Sequence, residues 1–198
     1  MPAERSPNVV WQQQIDRARR FELLGHSGAT IWMTGLPGSG KSTIASGVEA
    51  SLLDAGRSAY ILDGDNLRHG LNGDLGFSAA DRTENVRRTA EVSALLADAG
   101  VVVLVALVSP YRADRDAARA VHAARGLPFL EVHVATSLEE CERRDPKGLY
   151  ARARAGEITG LTGVDDPYEP PESPEVVVGG AGEAVEDSVA AVLAALPR

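Results

Sequence analysis

Apolar residues in this chain come in short runs that stop at glycine or at small polar clusters, and these runs alternate with longer stretches at helical spacing. The first run, 28–34, predicts a buried strand. Helical sequence covers 41–55 and stops at Gly56, and a second strand is expected over 58–62, running into the polar turn Asp63-Gly64-Asp65-Asn66. A helix follows over 78–98, with Ser78 as its N-cap and Val86, Ala90, Leu95 and Leu96 on its apolar face; Gly100 stops it. The run 101–108 is apolar on both faces, as a central parallel strand should be. A helix over 111–125, a strand over 129–134 and a short helix over 137–144 complete the middle of the chain. A strand over 175–178 and a helix over 185–196 end it.

Strand and helix alternate throughout, which implies an α/β fold: a parallel sheet with helices on both faces. Segment 145–174 is rich in Gly, Pro, Arg and Asp and too long for an ordinary connection, so it is expected to be a mobile lid. Residues 1–27 form a polar leader in which Trp11 and the stretch 15–24 are expected to make a short helix against the main body. Residues 28–198 are expected to form one domain.

Composition narrows the choice of partners. The 198 residues are 44% apolar, enough for a packed core, and carry a net charge of -8. An acidic chain lacks the broad basic face that unspecific nucleic-acid binding needs, so a polyanionic ligand requires a locally basic, backbone-rich pocket. The single cysteine, Cys141, permits no intrachain disulfide and fits a reducing compartment. The first residues are polar, and the longest apolar run, 101–108, is too short to span a membrane. A cytoplasmic protein without membrane or nucleic-acid partners is expected.

Gly35-Leu36-Pro37-Gly38-Ser39-Gly40-Lys41-Ser42-Thr43 fits the Walker A pattern G-x-x-x-x-G-K-S/T between a strand and a helix. Its glycines let backbone N–H groups turn inward toward the phosphates of ATP, and the following helix presents its N-terminal dipole to the same anion. Lys41 is expected to reach the β- and γ-phosphates, and the Ser42 hydroxyl to meet Mg²⁺. The central run 101–108 ends in Ser109-Pro110 and not in an acid, whereas Asp63 and Asp65 follow the other strand. That arrangement points to a small-molecule kinase rather than a motor. Asp63, nearer the strand end, can accept or orient an acceptor hydroxyl and help hold Mg²⁺; otherwise Asp63 and Asp65 only shape a turn.

Arg68, Arg82, Arg87 and Arg88 come next, with Phe77 among them. Guanidinium forks suit a doubly anionic acceptor and Phe77 a base, while Asp81, Glu84 and Glu91 offer the alternative of a salt-bridged helix surface. Arg112 and Arg115 sit where open α/β sheets place ligands. Arg143, Arg144, Lys147, Arg152 and Arg154 make a basic lid that would exclude water from a polyphosphate, or else a solvated basic surface. His26, His69, His122 and His133 show no metal-ligand spacing, and Cys141 reads as a packed residue.

Several blocks together resemble the adenylyl-sulfate kinase family of P-loop kinases over nearly the whole chain. These are Leu62-Asp63-Gly64-Asp65-Asn66 with Arg68-His69-Gly70-Leu71, Leu75-Gly76-Phe77-Ser78 with Asp81-Arg82 and Glu84-Asn85, Ser109-Pro110-Tyr111-Arg112, Arg144-Asp145, Lys147-Gly148-Leu149-Tyr150, Thr162-Gly163 and Pro167-Tyr168-Glu169. Asn8-Val9-Val10-Trp11 resembles the family's leader.

The resemblance implies a nucleotide-kinase-like fold and phosphorylation of the 3′-hydroxyl of adenosine 5′-phosphosulfate by ATP with Mg²⁺. It implies Asp63 as the group that deprotonates or orients that hydroxyl, and Lys41 and Arg144 on ATP. It implies acceptor binding by Asp65, Asn66, Arg68, Phe77, Arg82, Asn85, Val108, Ser109 and Lys147, and a homodimer. The family serine at position 109 has been described as a phosphoserine intermediate; direct in-line transfer needs none, and no base adjoins Ser109 in sequence.

One departure is Leu161, where the family has Phe opposite the equivalent of Phe77 across the acceptor adenine. Leucine loses a stacking face worth about 1 kcal/mol, so a somewhat weaker acceptor affinity is expected. Leu161 is also the sequence support for a rival reading, a kinase of this fold acting on another hydroxyl. A non-catalytic ATP-binding subunit would show decay of Lys41, Ser42, Asp63 or Asp65, and all four are present.

Overall fold

The structure is a computed structural model that describes residues 8, 10, 12 and 14–197; the sequence expectation for Trp11 lies outside these. A five-stranded, all-parallel sheet runs in the order β2-β3-β1-β4-β5. Its strands are β1 (Ala29–Thr34), β2 (Ala59–Asp63), β3 (Val102–Ala106), β4 (Phe129–Val134) and β5 (Val176–Val178). Every residue of β1 and β3 is buried, which explains why their sequences carry no polar alternation.

Alternate side chains of the central strands feed two cores. Ile31 and Met33 of β1 and Leu104 of β3 pack with Ile44, Val48 and Leu52 of α2 (Lys41–Asp54) and Val192 of α8 (Val185–Ala195). Trp32, Val103 and Val105 face the opposite way, onto Val86, Ala90 and Ala94 of α4 (Ala79–Asp98) and Ala118 of α5 (Arg112–Ala123). The helices after β1 and β3 thus cover opposite faces, so the loops leaving these neighbouring strands diverge. That divergence opens a crevice at their carboxyl ends, where such sheets bind ligands.

Local chemistry sets the element ends. Ser78 caps α4 in a reciprocal box with Asp81. Leu95 is 63% exposed, contrary to its expected place on the apolar face, because it lies nine residues, about half a turn, around from the buried Val86. The stretch 63–66, expected as a turn, is instead capped by Asp63 and wound into the single-turn α3 (Gly64–Leu67). The strand expected over 101–108 stops at Ala106, with Ser109 beyond it at φ 39°.

Helix α1 (Arg17–Leu24) docks on the body by charge: Arg17 and Arg20 both pair with Asp98, at 2.8 and 3.0 Å. Within 145–174 the chain forms α7 (Leu149–Arg154), packed with the preceding α6 (Leu138–Arg144) over a third small core of Cys141, Tyr150 and Leu161.

Gly28 enters β1 against the end of α4, where an added Cβ would lie 2.1 Å from the Ala97 carbonyl oxygen and 2.9 Å from that of Val101. Both obstacles are backbone and cannot swing away. Gly28→Ala is expected to lower the unfolding free energy by about 1–3 kcal/mol in urea titrations.

Candidate active site

The loop 35–40 between β1 and α2 carries the Walker A residues at the mouth of the crevice. Gly35 has φ 153°, and a Cβ there would stand 2.5 Å from the Val134 carbonyl oxygen, so only glycine lets the loop pass over β4. Gly38 and Gly40 are also at positive φ. Thr136 fixes the loop from below by donating to the Ser39 carbonyl at 2.8 Å, and Tyr150 fixes it from the lid by donating to the Pro37 carbonyl at 2.8 Å. Neither anchor was foreseen from sequence; a threonine just after a strand and a tyrosine in the Lys147-Gly148-Leu149-Tyr150 block are the signals that point to them.

Lys41 opens α2 and is 8% exposed. Its ammonium donates to the carbonyls of Gly35 and Leu36 at 2.9 and 2.8 Å and to Ser39 Oγ at 3.3 Å. Burial lowers its pKa from 10.5 to about 8. Ser42 and Thr43 follow, both exposed, and Ser42 Oγ donates to Asp63 Oδ2 at 2.6 Å. The other oxygen of Asp63 accepts from the Asp65 amide at 2.9 Å. The capping role and the site role of Asp63 are therefore compatible, one oxygen serving each.

Asp65 and Asn66 lie exposed on α3, and Asp65 pairs with Lys147 of the lid. Of the two acids, Asp63 is the one whose carboxylate meets the phosphate-loop hydroxyl. Arg144, at the end of α6, pairs with Glu140 and reaches the loop beside Gly40, where its Nη1 lies 3.8 Å from the place of a Cβ.

Of the residues expected to meet the acceptor, Phe77 is 65% exposed and Arg68 lies over its ring at 4.1 Å, while donating to the carbonyls of Leu75 and Gly76. Arg82 spans from the Phe77 carbonyl to the Gly160 carbonyl of the lid, at 3.0 and 2.6 Å. Asn85 is buried and accepts from Asn72 at 2.8 Å. Val108 and Ser109 form the loop after β3, and Ser109 Oγ accepts from the indole of the buried Trp32 at 3.1 Å.

Other charged candidates turn inward or pair locally. Arg87 and Arg88 both bind Glu84, and Arg88 also Asp74, so the salt-bridged surface describes them. Arg112 pairs with Glu172, and Arg143 and Arg154 with Glu140 and Glu142. Arg115 is 1% exposed and presents nothing to a ligand, contrary to expectation from its place after the central strand. Leu161 is 8% exposed and packs with Cys141, Tyr150 and Leu36, so it contributes to the small core under segment 145–174. An open cleft of about 460 Å³ runs between Leu36 and the lid residues Asp166 and Tyr168.

A phosphate-binding loop after β1, a carboxylate two strands away at the end of β2 joined to its serine, and a basic segment packed against both define a P-loop kinase. The family model described as adenylylsulphate kinase matches residues 27–179. An adenylyl-sulfate kinase of Geotalea uraniireducens is 50% identical over 99% of this chain and 94% of its own. The Mycobacterium tuberculosis APS kinase CysC, solved in complex with AMPPNP and APS, matches with a TM-score of 0.84 at 54% identity over 86% of this chain and 98% of that one. A hexameric APS kinase from Thiobacillus denitrificans matches with a TM-score of 0.65 at 34% identity over 86% of this chain and 29% of that one. The chain belongs to the adenylyl-sulfate kinase family.

The lowered pKa of Lys41 has a measurable consequence. Above pH 8 the free protein loses the ammonium proton, whereas a bound polyphosphate favours the charged form, so binding then takes up a proton. The dissociation constant for ATP is expected to rise above pH 8, approaching about tenfold per pH unit. Calorimetry from pH 7 to 9.5 checks this, and a flat profile would refute it.

Proposed function

We propose that this chain transfers the γ-phosphate of ATP to the 3′-hydroxyl of adenosine 5′-phosphosulfate, giving ADP and 3′-phosphoadenosine 5′-phosphosulfate. The observation that carries the reading is the Asp63 carboxylate at the end of β2, 2.6 Å from Ser42 Oγ of the phosphate loop. A carboxylate there faces both the transferred phosphoryl group and an incoming hydroxyl. Asp63 accepts or orients the hydroxyl proton, and Lys41 exchanges its carbonyl partners for phosphate oxygens. Gly35, Gly38, Ser39, Gly40, Ser42 and Thr43 supply the cradle for the polyphosphate, with Arg144 beside it.

The oxygens of Ser42 and Asp63 fit a hard divalent cation, and among the described residues no cluster of three His, Cys, Asp or Glu side chains offers another site. Mg²⁺ held by Ser42 and Asp63 would supply charge neutralisation for the polyphosphate. The acceptor is held by Asp65, Asn66, Arg68, Phe77, Arg82, Asn85, Val108, Ser109 and Lys147. Arg68, which lies over the Phe77 ring, yields that face to the adenine. Leu161 meets the base only when the lid, 145–174, shifts as it closes. Ser109 acts by position and not as a nucleophile: its hydroxyl is buried on the Trp32 indole, and among the described residues no base is bonded to it.

The family match over most of the chain weighs against the rival acceptors. The protein is read as cytoplasmic, from its single cysteine and from the described helices, none of which is long and apolar enough to cross a membrane. It is read as a homodimer on the family resemblance alone, against which light scattering would weigh the hexamer of the Thiobacillus relative.

ADP release from ATP and Mg²⁺ is expected to be strongly stimulated by adenosine 5′-phosphosulfate, with a 3′-phosphorylated product by mass spectrometry and NMR. Absence of stimulation with ATP binding intact would defeat the reading. Asp63→Asn is expected to cut kcat by about 10²–10⁴-fold while calorimetry finds ATP binding largely kept. Asp65→Asn is expected to act mainly on the acceptor KM; the reverse pattern would exchange the two roles.

A further inference from the structure

Arg115 lies in the first turn of α5, 1% exposed, and spreads its guanidinium over three elements. Its Nε donates to Glu131 Oε1 of β4 at 2.7 Å. One terminal nitrogen donates to the Ser109 carbonyl at 2.8 Å and the other to the Glu169 carbonyl at 2.7 Å. The first partner neutralises the charge. The other two are backbone atoms of segments that border the site.

Those segments are also tied to each other. The Glu169 amide donates to the Pro110 carbonyl at 2.9 Å, and the Glu169 carboxylate accepts from the Arg112 amide at 2.7 Å. Thr34 donates to the Val108 carbonyl at 2.7 Å and lies 3.1 Å from the Tyr168 hydroxyl. Ser109, with φ 39°, is in a conformation that a non-glycine residue keeps only where its surroundings hold it. A lysine could balance Glu131 as well as an arginine does, but only a planar fork serves three acceptors in three directions at once.

We propose that Arg115 is a positioning residue for the acceptor, holding the Val108–Ser109 loop and the foot of the lid at 167–169 in one register. Acceptor affinity depends on it although it touches no ligand. The proposal rests on the reading of Val108 and Ser109 as acceptor contacts. Loss of the clamp lets the loop relax and the lid foot drift, which costs acceptor binding and leaves the phosphate loop, anchored separately by Thr136 and Tyr150, as it was.

The test is steady-state kinetics with ATP and adenosine 5′-phosphosulfate titrated separately, on the parent, Arg115→Lys, Glu131→Gln and the double variant Arg115→Met/Glu131→Gln. The double variant removes both buried charges, a change that buried pairs often tolerate, and so separates folding from positioning. Arg115→Lys and the double variant are expected to raise the acceptor KM by about tenfold or more with the ATP KM within about twofold. Glu131→Gln is expected to lower the melting temperature with both constants within about twofold of the parent. A folded double variant with the parental acceptor KM overturns the proposal, as does an equal rise in both constants or a Glu131→Gln that matches Arg115→Lys. A parent that ignores adenosine 5′-phosphosulfate defeats the reading of the site itself, and is told apart because it fails before any variant is compared.

Discussion

Parallel pairing brings the carboxyl ends of three strands level, and the site depends on that alignment. Ala106 of β3 is in register with Met33 of β1 on one side and with Asp63 of β2 on the other. Because the backbone ladder fixes this match, the phosphate loop, the Asp63 carboxylate and the Val108–Ser109 loop all start from one edge. A hydroxyl from the start of α2 can then meet a carboxylate from the end of β2 without either segment reaching far. Parallel order requires long crossovers, and here the crossovers are the helices that supply both cores.

Much of this was legible in the sequence because it rests on periodicity or on backbone demands. The strands read as unbroken apolar runs since both their faces are covered, and Ser78 read as a cap from its place before a helical pattern, to which the structure adds the reciprocal partner Asp81. The phosphate loop was legible because its glycines answer steric limits that act locally. Leu95 misled because its hydrophobicity was counted without its angle around the helix. The stretch 63–66 carries turn residues, yet Asp63 caps a helical turn there, a choice that local composition does not decide.

Charged residues were the least legible. An arginine beside acids on a helix can bind a ligand or its neighbour, and the spacing is the same for both. Arg87 and Arg88 found Glu84 within one turn, while Arg82, facing the lid, bound two backbone carbonyls and lies 3.5 Å from Asp166. Arg115 looked like a ligand-facing residue because it follows the central strand, but its position in the first turn of α5 aims it under the loop, where three acceptors converge. Such distinctions come from tertiary contacts, which join Arg115 to a residue 54 positions away and Arg82 to one 78 away.

The carbonyl cage around Lys41 gives the phosphate loop an entry threshold. Two carbonyls and a hydroxyl already satisfy the ammonium, so an anion can claim it only by offering acceptors that outweigh them in charge and number. A chloride ion, with one weakly directional charge, is a poor substitute for that set. A polyphosphate, which brings several oxygens and engages the surrounding amides at the same time, is a good one. On this geometry the ammonium changes partners in one step only for a ligand that replaces all three acceptors together.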